Sequence, residues 1–131
     1  MRILIVDDDL DSAANLAALL AATGPDVRVE AGAPAGADAV ATWRPEVALL
    51  DIGLPDSGAY LVARRIRAEP DAHPARLVAL TEWGQQHDRR RAAEAGFDHH
   101  LVKPIDPLHL RVLLNSVASD SHANEGSAPN S

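Results

Sequence analysis

The chain has 131 residues, enough for one domain of ordinary size, and 47% of them are hydrophobic, so it can bury a core. The formal net charge of −7 argues against attraction to a phosphate backbone, so no direct nucleic-acid partner is expected. The absence of cysteine excludes disulfides and cysteine-based zinc sites. The first apolar run is too short for a signal peptide or a membrane span, so a cytoplasmic protein without a membrane partner is expected.

Five short apolar runs are predicted to be β-strands. The runs at 3–6, 47–50 and 77–80 are almost continuously apolar, as in parallel strands that are covered on both faces. The run at 27–29 alternates and fits a more exposed strand, and the fifth run is 101–102.

Helical patterns lie between and after these runs, at residues 10–22, 34–43, from 59 onward, 86–95 and from 107 onward. Asp9 or Asp11 is a candidate cap for the first helix, and Asp106 before Pro107 is one for the last. Strict alternation of strand and helix predicts an α/β domain with a parallel sheet and helices on both faces. The domain is predicted to span 1–118, and the Ser- and Asn-rich segment 119–131 is predicted to be a disordered tail.

Polar residues follow four of the five strands, where an open α/β sheet binds its ligands. In chain order they are Asp7, Asp8 and Asp9, then Asp51, then Thr81, then Lys103. Carboxylates that converge at one edge repel each other and recruit a cation, and hard oxygen ligands at a wet rim suit Mg²⁺. A metal, an ammonium and a hydroxyl are the groups that stabilise a transferring phosphoryl group, and a carboxylate can be its acceptor.

Each of these residues also has an ordinary structural explanation. Asp9 or Thr81 could simply cap a helix, and a Lys-Pro pair is usually a turn. The joint order of acids, hydroxyl and lysine at successive strand ends favours the phosphoryl-transfer interpretation.

Four stretches, 3–9, 50–56, 79–81 and 96–104, make the chain resemble the response-regulator receiver family from about residue 2 to 117. The resemblance implies a flavodoxin-like, doubly wound five-stranded parallel sheet of order 2-1-3-4-5. Five helices would complete a three-layer α/β/α sandwich.

The resemblance also implies a metal site. Asp8 and Asp51 would bind Mg²⁺ directly, Asp7 mainly through water, and the backbone carbonyl of Gly53 would be a further ligand. Mn²⁺ is expected to substitute for Mg²⁺.

By the same resemblance, Asp51 is the phosphoacceptor and Lys103 pairs with the phosphoryl group. The Lys103–Pro104 bond would be cis. Thr81 would hydrogen-bond a phosphoryl oxygen, and the last two helix–strand units would shift in a two-state switch. Such a domain is a signalling module rather than a turnover enzyme.

The resemblance implies a histidine kinase or a histidine phosphotransfer protein as the partner, and a monomer or weak homodimer. The segment 88–106 is most similar to receivers at the ends of hybrid histidine kinases.

The sequence departs from the family pattern at three places. Glu82 and Trp83 follow the switch threonine, where a small residue is usual, and the hypothesis is that they hinder access to the site. The glycine of the turn after the phosphoacceptor is shifted, to Gly58-Ala59. The aromatic switch residue is replaced by His100, which could make the output sensitive to pH.

Three other functions remain open at this point. A degenerate receiver would act only as a phosphorylation-independent binding module, but the set of Asp8, Asp51, Thr81 and Lys103 argues against it. A flavodoxin-like cofactor binder would need a phosphate-binding loop after the first strand, where acids stand instead. A small hydrolase would need a second acid, and Asp56 is expected to be poorly placed for that role.

Overall fold

A computed structural model of the chain describes residues 1–68, 76–82 and 88–126, and side chains for these residues except 88, 89 and 118–126. The elements are, in chain order, β1 (Arg2–Val6), α1 (Leu10–Ala21), β2 (Asp26–Glu30), α2 (Ala33–Trp43), β3 (Val47–Asp51), a 3₁₀ turn (Pro55–Ser57), α3 (Gly58–Ala68), β4 (Arg76–Thr81), α4 (Asp88–Glu94), β5 (His99–Val102) and α5 (Pro107–Gly126). Residues 86 and 87 of the predicted fourth helix lie outside the described residues.

The five strands form one parallel sheet in the order β2-β1-β3-β4-β5. This order confirms the flavodoxin-like prediction. The direction of winding reverses between β1 and β3, which are adjacent, and Val6 of β1 is paired with Leu50 of β3. The carboxyl ends of the two strands are therefore level, at the place where a ligand crevice forms in such sheets.

The core has two layers, one on each face of the sheet, because alternate strand residues point to opposite faces. Leu4 and Val6 of β1 pack on one face with buried residues of α2, α3 and α4. Ile3 and Ile5 pack on the other face with buried residues of α1 and α5. All five residues of β3 are buried, as the continuous apolar run predicted.

Asp9 has the capping role that the sequence allowed, since its side chain accepts a hydrogen bond from the Ser12 amide of α1 at 3.2 Å.

Helix α5 extends into the segment for which a disordered tail is predicted. The backbone of α5 is helical through Gly126. No proline interrupts 119–126, and each further residue is added at low cost to a helix that buried Leu110 and Val117 already anchor. Residues 127–131 lie outside the described residues, and the domain boundary at 118 stays a prediction. Among the described residues, no helix is both long and apolar enough to cross a membrane.

At Gly58, α3 lies close to the first residue of α2. A Cβ atom at this position would lie 2.8 Å from the Cβ atom of Ala33, although the backbone of Gly58 (φ −56°) is helical and accepts any residue. We expect Gly58→Ala to lower the free energy of unfolding by about 1–3 kcal/mol, as overpacking does, measured by chemical denaturation. Ala33→Gly removes the atom that the new methyl group meets. The loss should therefore shrink when Gly58→Ala is measured in the Ala33→Gly background, and an equal loss in both backgrounds would rule out this contact as the cause.

Candidate functional site

Three carboxylates meet at the carboxyl ends of β1 and β3. Asp7 and Asp8 follow β1, Asp51 is the last residue of β3, and one oxygen from each lies within 4.8 Å of the others. Asp7 and Asp51 are buried, whereas Asp8 is exposed. The convergence predicted from the residues at the strand ends is therefore present in the structure.

Lys103 joins two of these carboxylates. Its Nζ atom donates hydrogen bonds to Asp7 Oδ2 at 2.9 Å and to Asp51 Oδ2 at 3.1 Å, and 14% of its side chain is exposed. The Lys103–Pro104 peptide bond is cis, as expected. The Lys103 amide donates to the carbonyl of Thr81 at 2.7 Å, which fixes the start of the loop against the end of β4.

Two backbone amides complete the environment of the buried acids. The Gly53 amide donates to Asp51 Oδ1 at 2.8 Å, and the Asp9 amide donates to Asp7 Oδ1 at 2.9 Å. Both oxygens of Asp7 and both of Asp51 thus have partners. Among the described residues, the Asp8 carboxylate has no hydrogen bond or ion pair. Neither amide could be predicted from the sequence, because a backbone N–H has no residue-type signature.

Burial and the neighbouring opposite charge have opposite effects on the pKa values of Asp51 and Lys103. Burial raises the pKa of Asp51 above its ordinary value, and a side-chain hydrogen bond shared with Asp7 adds to the rise. The Gly53 amide and Lys103 only partly offset it. Burial alone would lower the pKa of Lys103, but its hydrogen bonds to Asp7 and Asp51 outweigh burial and leave that pKa raised. The Lys103 ammonium therefore stays charged, whereas ionisation of Asp51, the candidate phosphoacceptor, is disfavoured in the folded state.

The residues present fit a divalent cation. When all are ionised, three carboxylates and one ammonium leave two net negative charges, which a divalent ion would balance. Carboxylate oxygens are ligands that Mg²⁺ accepts, and exposed Asp8 leaves one side open to the waters that this ion keeps. The structure shows the Gly53 amide against Asp51, and the role of the Gly53 carbonyl as a ligand stays a prediction.

Thr81 ends β4 beside Asp51, because Asp51 is paired with the preceding Leu80. Its hydroxyl is buried and faces β5. Oγ1 lies 3.1 Å from His100 Nε2 and donates to the Leu101 carbonyl at 3.4 Å. Thr81 is thus next to the predicted site with its hydroxyl engaged elsewhere.

The structure describes part of two further departures from the family pattern, the Glu82-Trp83 pair and the turn with the shifted glycine. Glu82 is exposed at the end of β4, and Trp83 lies outside the described residues, so the access hypothesis stays a prediction. In the turn with the shifted glycine, Asp56 (φ 56°) and Ser57 (φ 58°) both have left-handed backbones, which non-glycine residues rarely adopt. Asp56 is exposed and is not one of the three clustered acids, in agreement with its expected poor placement.

The model of the response regulator receiver domain family matches residues 3–115. An uncharacterized 14.6 kDa protein of Leptolyngbya boryana is 32% identical over 110 residues, with 84% of each chain covered. Response regulator MprA of Mycolicibacterium vanbaalenii is 30% identical over 98% of this chain, which spans only 56% of that relative. Among solved structures, the receiver domain of the sensor histidine kinase PA1611 of Pseudomonas aeruginosa has a TM-score of 0.78 and 28% identity, over 88% of this chain and 94% of that one. That structure holds a magnesium ion coordinated in its active site cleft.

The raised pKa of Asp51 has a consequence for stability without metal. The folded state holds this proton more tightly than the unfolded state, so the carboxyl favours folding below its ordinary pKa of 3.8, and this contribution is lost as pH rises through the folded-state pKa. In EDTA we therefore expect Asp51→Asn to have a higher melting temperature than the wild type at pH 7. The difference should shrink as pH falls toward 3.8.

Asp38→Asn makes the same charge change at an exposed position of α2 and serves as the control. Melting temperatures at several pH values measure both variants. An Asp51→Asn protein that is less stable than the wild type at pH 7 would show that Lys103 and the Gly53 amide more than compensate for burial.

Proposed function

This chain belongs to the response regulator receiver domain family, and on that premise we propose that it accepts a phosphoryl group on Asp51 from a histidine kinase or a histidine phosphotransfer protein. The observation that carries the proposal is the Lys103 ammonium, 3.1 Å from the Asp51 carboxylate in a cluster of three acids. The same groups would stabilise the charge that develops on a transferring phosphoryl group.

In the proposed reaction, an Asp51 oxygen attacks the phosphorus atom of a phosphohistidine. The new P–O bond forms an acyl phosphate, the P–N bond breaks, and its electron pair stays on the donor imidazole. With acetyl phosphate as donor, the bond between phosphorus and the acetyl oxygen breaks and acetate leaves. Lys103 is close enough to exchange its contact with Asp51 Oδ2 for one with a transferred phosphoryl oxygen.

Asp8 and Asp51 would hold Mg²⁺ directly, and Asp7 mainly through water. The lack of any described partner supports the direct role of Asp8, and the direct role of Asp51 and the indirect role of Asp7 stay predictions. When bound, the ion would offset negative charge on the phosphoryl oxygens. The magnesium in the cleft of the PA1611 receiver supports this assignment, and Mn²⁺ is proposed as a substitute.

In the phosphorylated domain, the Thr81 hydroxyl would turn toward a phosphoryl oxygen, and its neighbours on β5 would shift with it. The output is a change of shape read by a partner, so the domain is a signalling module rather than a turnover enzyme. Its cytoplasmic location, its oligomeric state and the lack of nucleic-acid binding remain predictions. So does the similarity of 88–106 to the receivers of hybrid kinases.

Incubation with acetyl phosphate and Mg²⁺ tests the proposal directly. We expect intact-mass measurement to show a gain of one phosphoryl group in the wild type and none in Asp51→Ala, because the acceptor oxygen is gone. Asp56→Asn is the matched control, since it changes an exposed acid outside the cluster and asparagine tolerates the left-handed backbone there. A wild type that gains no mass would favour the degenerate, phosphorylation-independent binding module instead.

Metal binding is tested separately from phosphorylation. A ligand that binds only the folded state raises stability, so Mg²⁺ should raise the melting temperature of the wild type in a concentration-dependent way. Asp8→Asn removes the one clustered carboxylate without a described partner, and we expect it to weaken Mg²⁺ binding by at least about tenfold, the loss of a charged contact worth roughly 1.4 kcal/mol. Equal Mg²⁺ responses in Asp8→Asn and the wild type would exclude Asp8 as a direct ligand.

A further inference from the structure

We propose that His100 is a positioning residue that keeps the Thr81 hydroxyl on β5 and so competes with the phosphoryl group for it. The inference rests on the proposed function, because it concerns the state of Thr81 before phosphate arrives. Residue 100 is the switch position at which this chain has a histidine in place of the usual aromatic residue.

The contact between the two side chains joins neighbouring strands. Ala79 of β4 is paired with His100 of β5. Thr81 is the second residue after Ala79 and the last residue of β4. Thr81 Oγ1 lies 3.1 Å from His100 Nε2 and 3.4 Å from the Leu101 carbonyl, and Thr81 is 1% exposed. The hydroxyl is therefore satisfied in a place with little access to water.

A hydroxyl has a single proton to donate, and this limits what Thr81 can do at one time. Both contacts form together when His100 Nε2–H donates to the hydroxyl and the hydroxyl donates to the Leu101 carbonyl. To donate to a phosphoryl oxygen instead, Thr81 must give up the Leu101 carbonyl and turn away from His100. A buried polar group is costly to leave unpaired, so the hydroxyl moves only when a charged acceptor offers a stronger bond.

His100 also has room to adopt another position once Thr81 leaves. It lines a cavity of about 310 Å³ between α4 and β5, together with Ala92 and Phe97. Because α4 and β5 line this space, a change in the position of the imidazole would alter the surface that these two elements form. The Thr81–His100 bond would thus couple the phosphorylation site to that surface.

The competition is measured as the affinity for beryllofluoride, a phosphoryl analogue, at saturating Mg²⁺. His100→Phe keeps a planar ring and removes the nitrogen, so it should bind beryllofluoride about 3- to 10-fold more tightly than the wild type, the effect of deleting one competing hydrogen bond. His100→Gln places an amide near the position of Nε2 and should restore the wild-type affinity to within about twofold. A glutamine variant that behaves like the phenylalanine variant would overturn the proposal.

Thr81→Val separates this bond from other effects of the ring. In that background His100→Phe should change the beryllofluoride affinity by less than about twofold, because no hydroxyl is left to compete for. The same 3- to 10-fold gain in both backgrounds would reject the proposal, as would an unchanged affinity of His100→Phe in the Thr81 background.

A measurement on the unmodified protein covers the case in which a variant fails to fold. The ring ¹⁵N signals of His100, assigned as those missing in His100→Gln, should shift when beryllofluoride binds. Unchanged ring signals in a wild type that does bind beryllofluoride would overturn the role of His100 alone. A wild type that neither binds beryllofluoride nor gains a phosphoryl group would instead refute the proposed function.

Discussion

The hydrogen bonds from Lys103 to Asp7 and Asp51 are the interaction on which the functional end of this domain depends. Two buried carboxylates and an exposed third are crowded at adjoining strand ends, and without a counter-charge their repulsion would oppose folding. One ammonium offsets part of that charge and leaves a net charge that a divalent ion would balance. The same two contacts that reduce repulsion in the folded chain are the ones on which the proposed binding of a cation and a phosphoryl group depends.

The order of the strands determines which residues can make this contact. Lys103 follows β5, whereas Asp51 and Asp7 follow β3 and β1, so its side chain must pass over the end of β4. Neighbouring strands are about 4.8 Å apart, and a long lysine stem can cover the roughly 10 Å from β5 to β3. The residue at the end of β4 is Thr81, whose short side chain faces β5 and leaves that path clear. A threonine there serves both the packing of the site and the proposed switch.

The departures from the family pattern lie around this cluster rather than inside it. His100 alters the residue that contacts the switch threonine, and the turn after Asp51 has two left-handed residues, Asp56 and Ser57. Such backbones are strained and persist only where surrounding contacts fix them. The chemistry of the acids and the lysine is unchanged, whereas the parts that would transmit a signal differ.

The sequence by itself determined the α/β class, the parallel sheet and the polar residues at its carboxyl edge. Continuous apolar runs, as at 47–50, are typical of strands covered on both faces, and the residue after each such parallel strand then lies at one rim. The tertiary structure decided which of those residues touch. The Lys103–Asp7 pair, the hydrogen bonds of the Gly53 and Asp9 amides, and the contact between Thr81 and His100 depend on distances set by strand order and loop geometry, which no residue type encodes. The helical backbone over 119–126 likewise escaped prediction, because composition describes the solubility of a segment but not whether a preceding packed helix propagates through it.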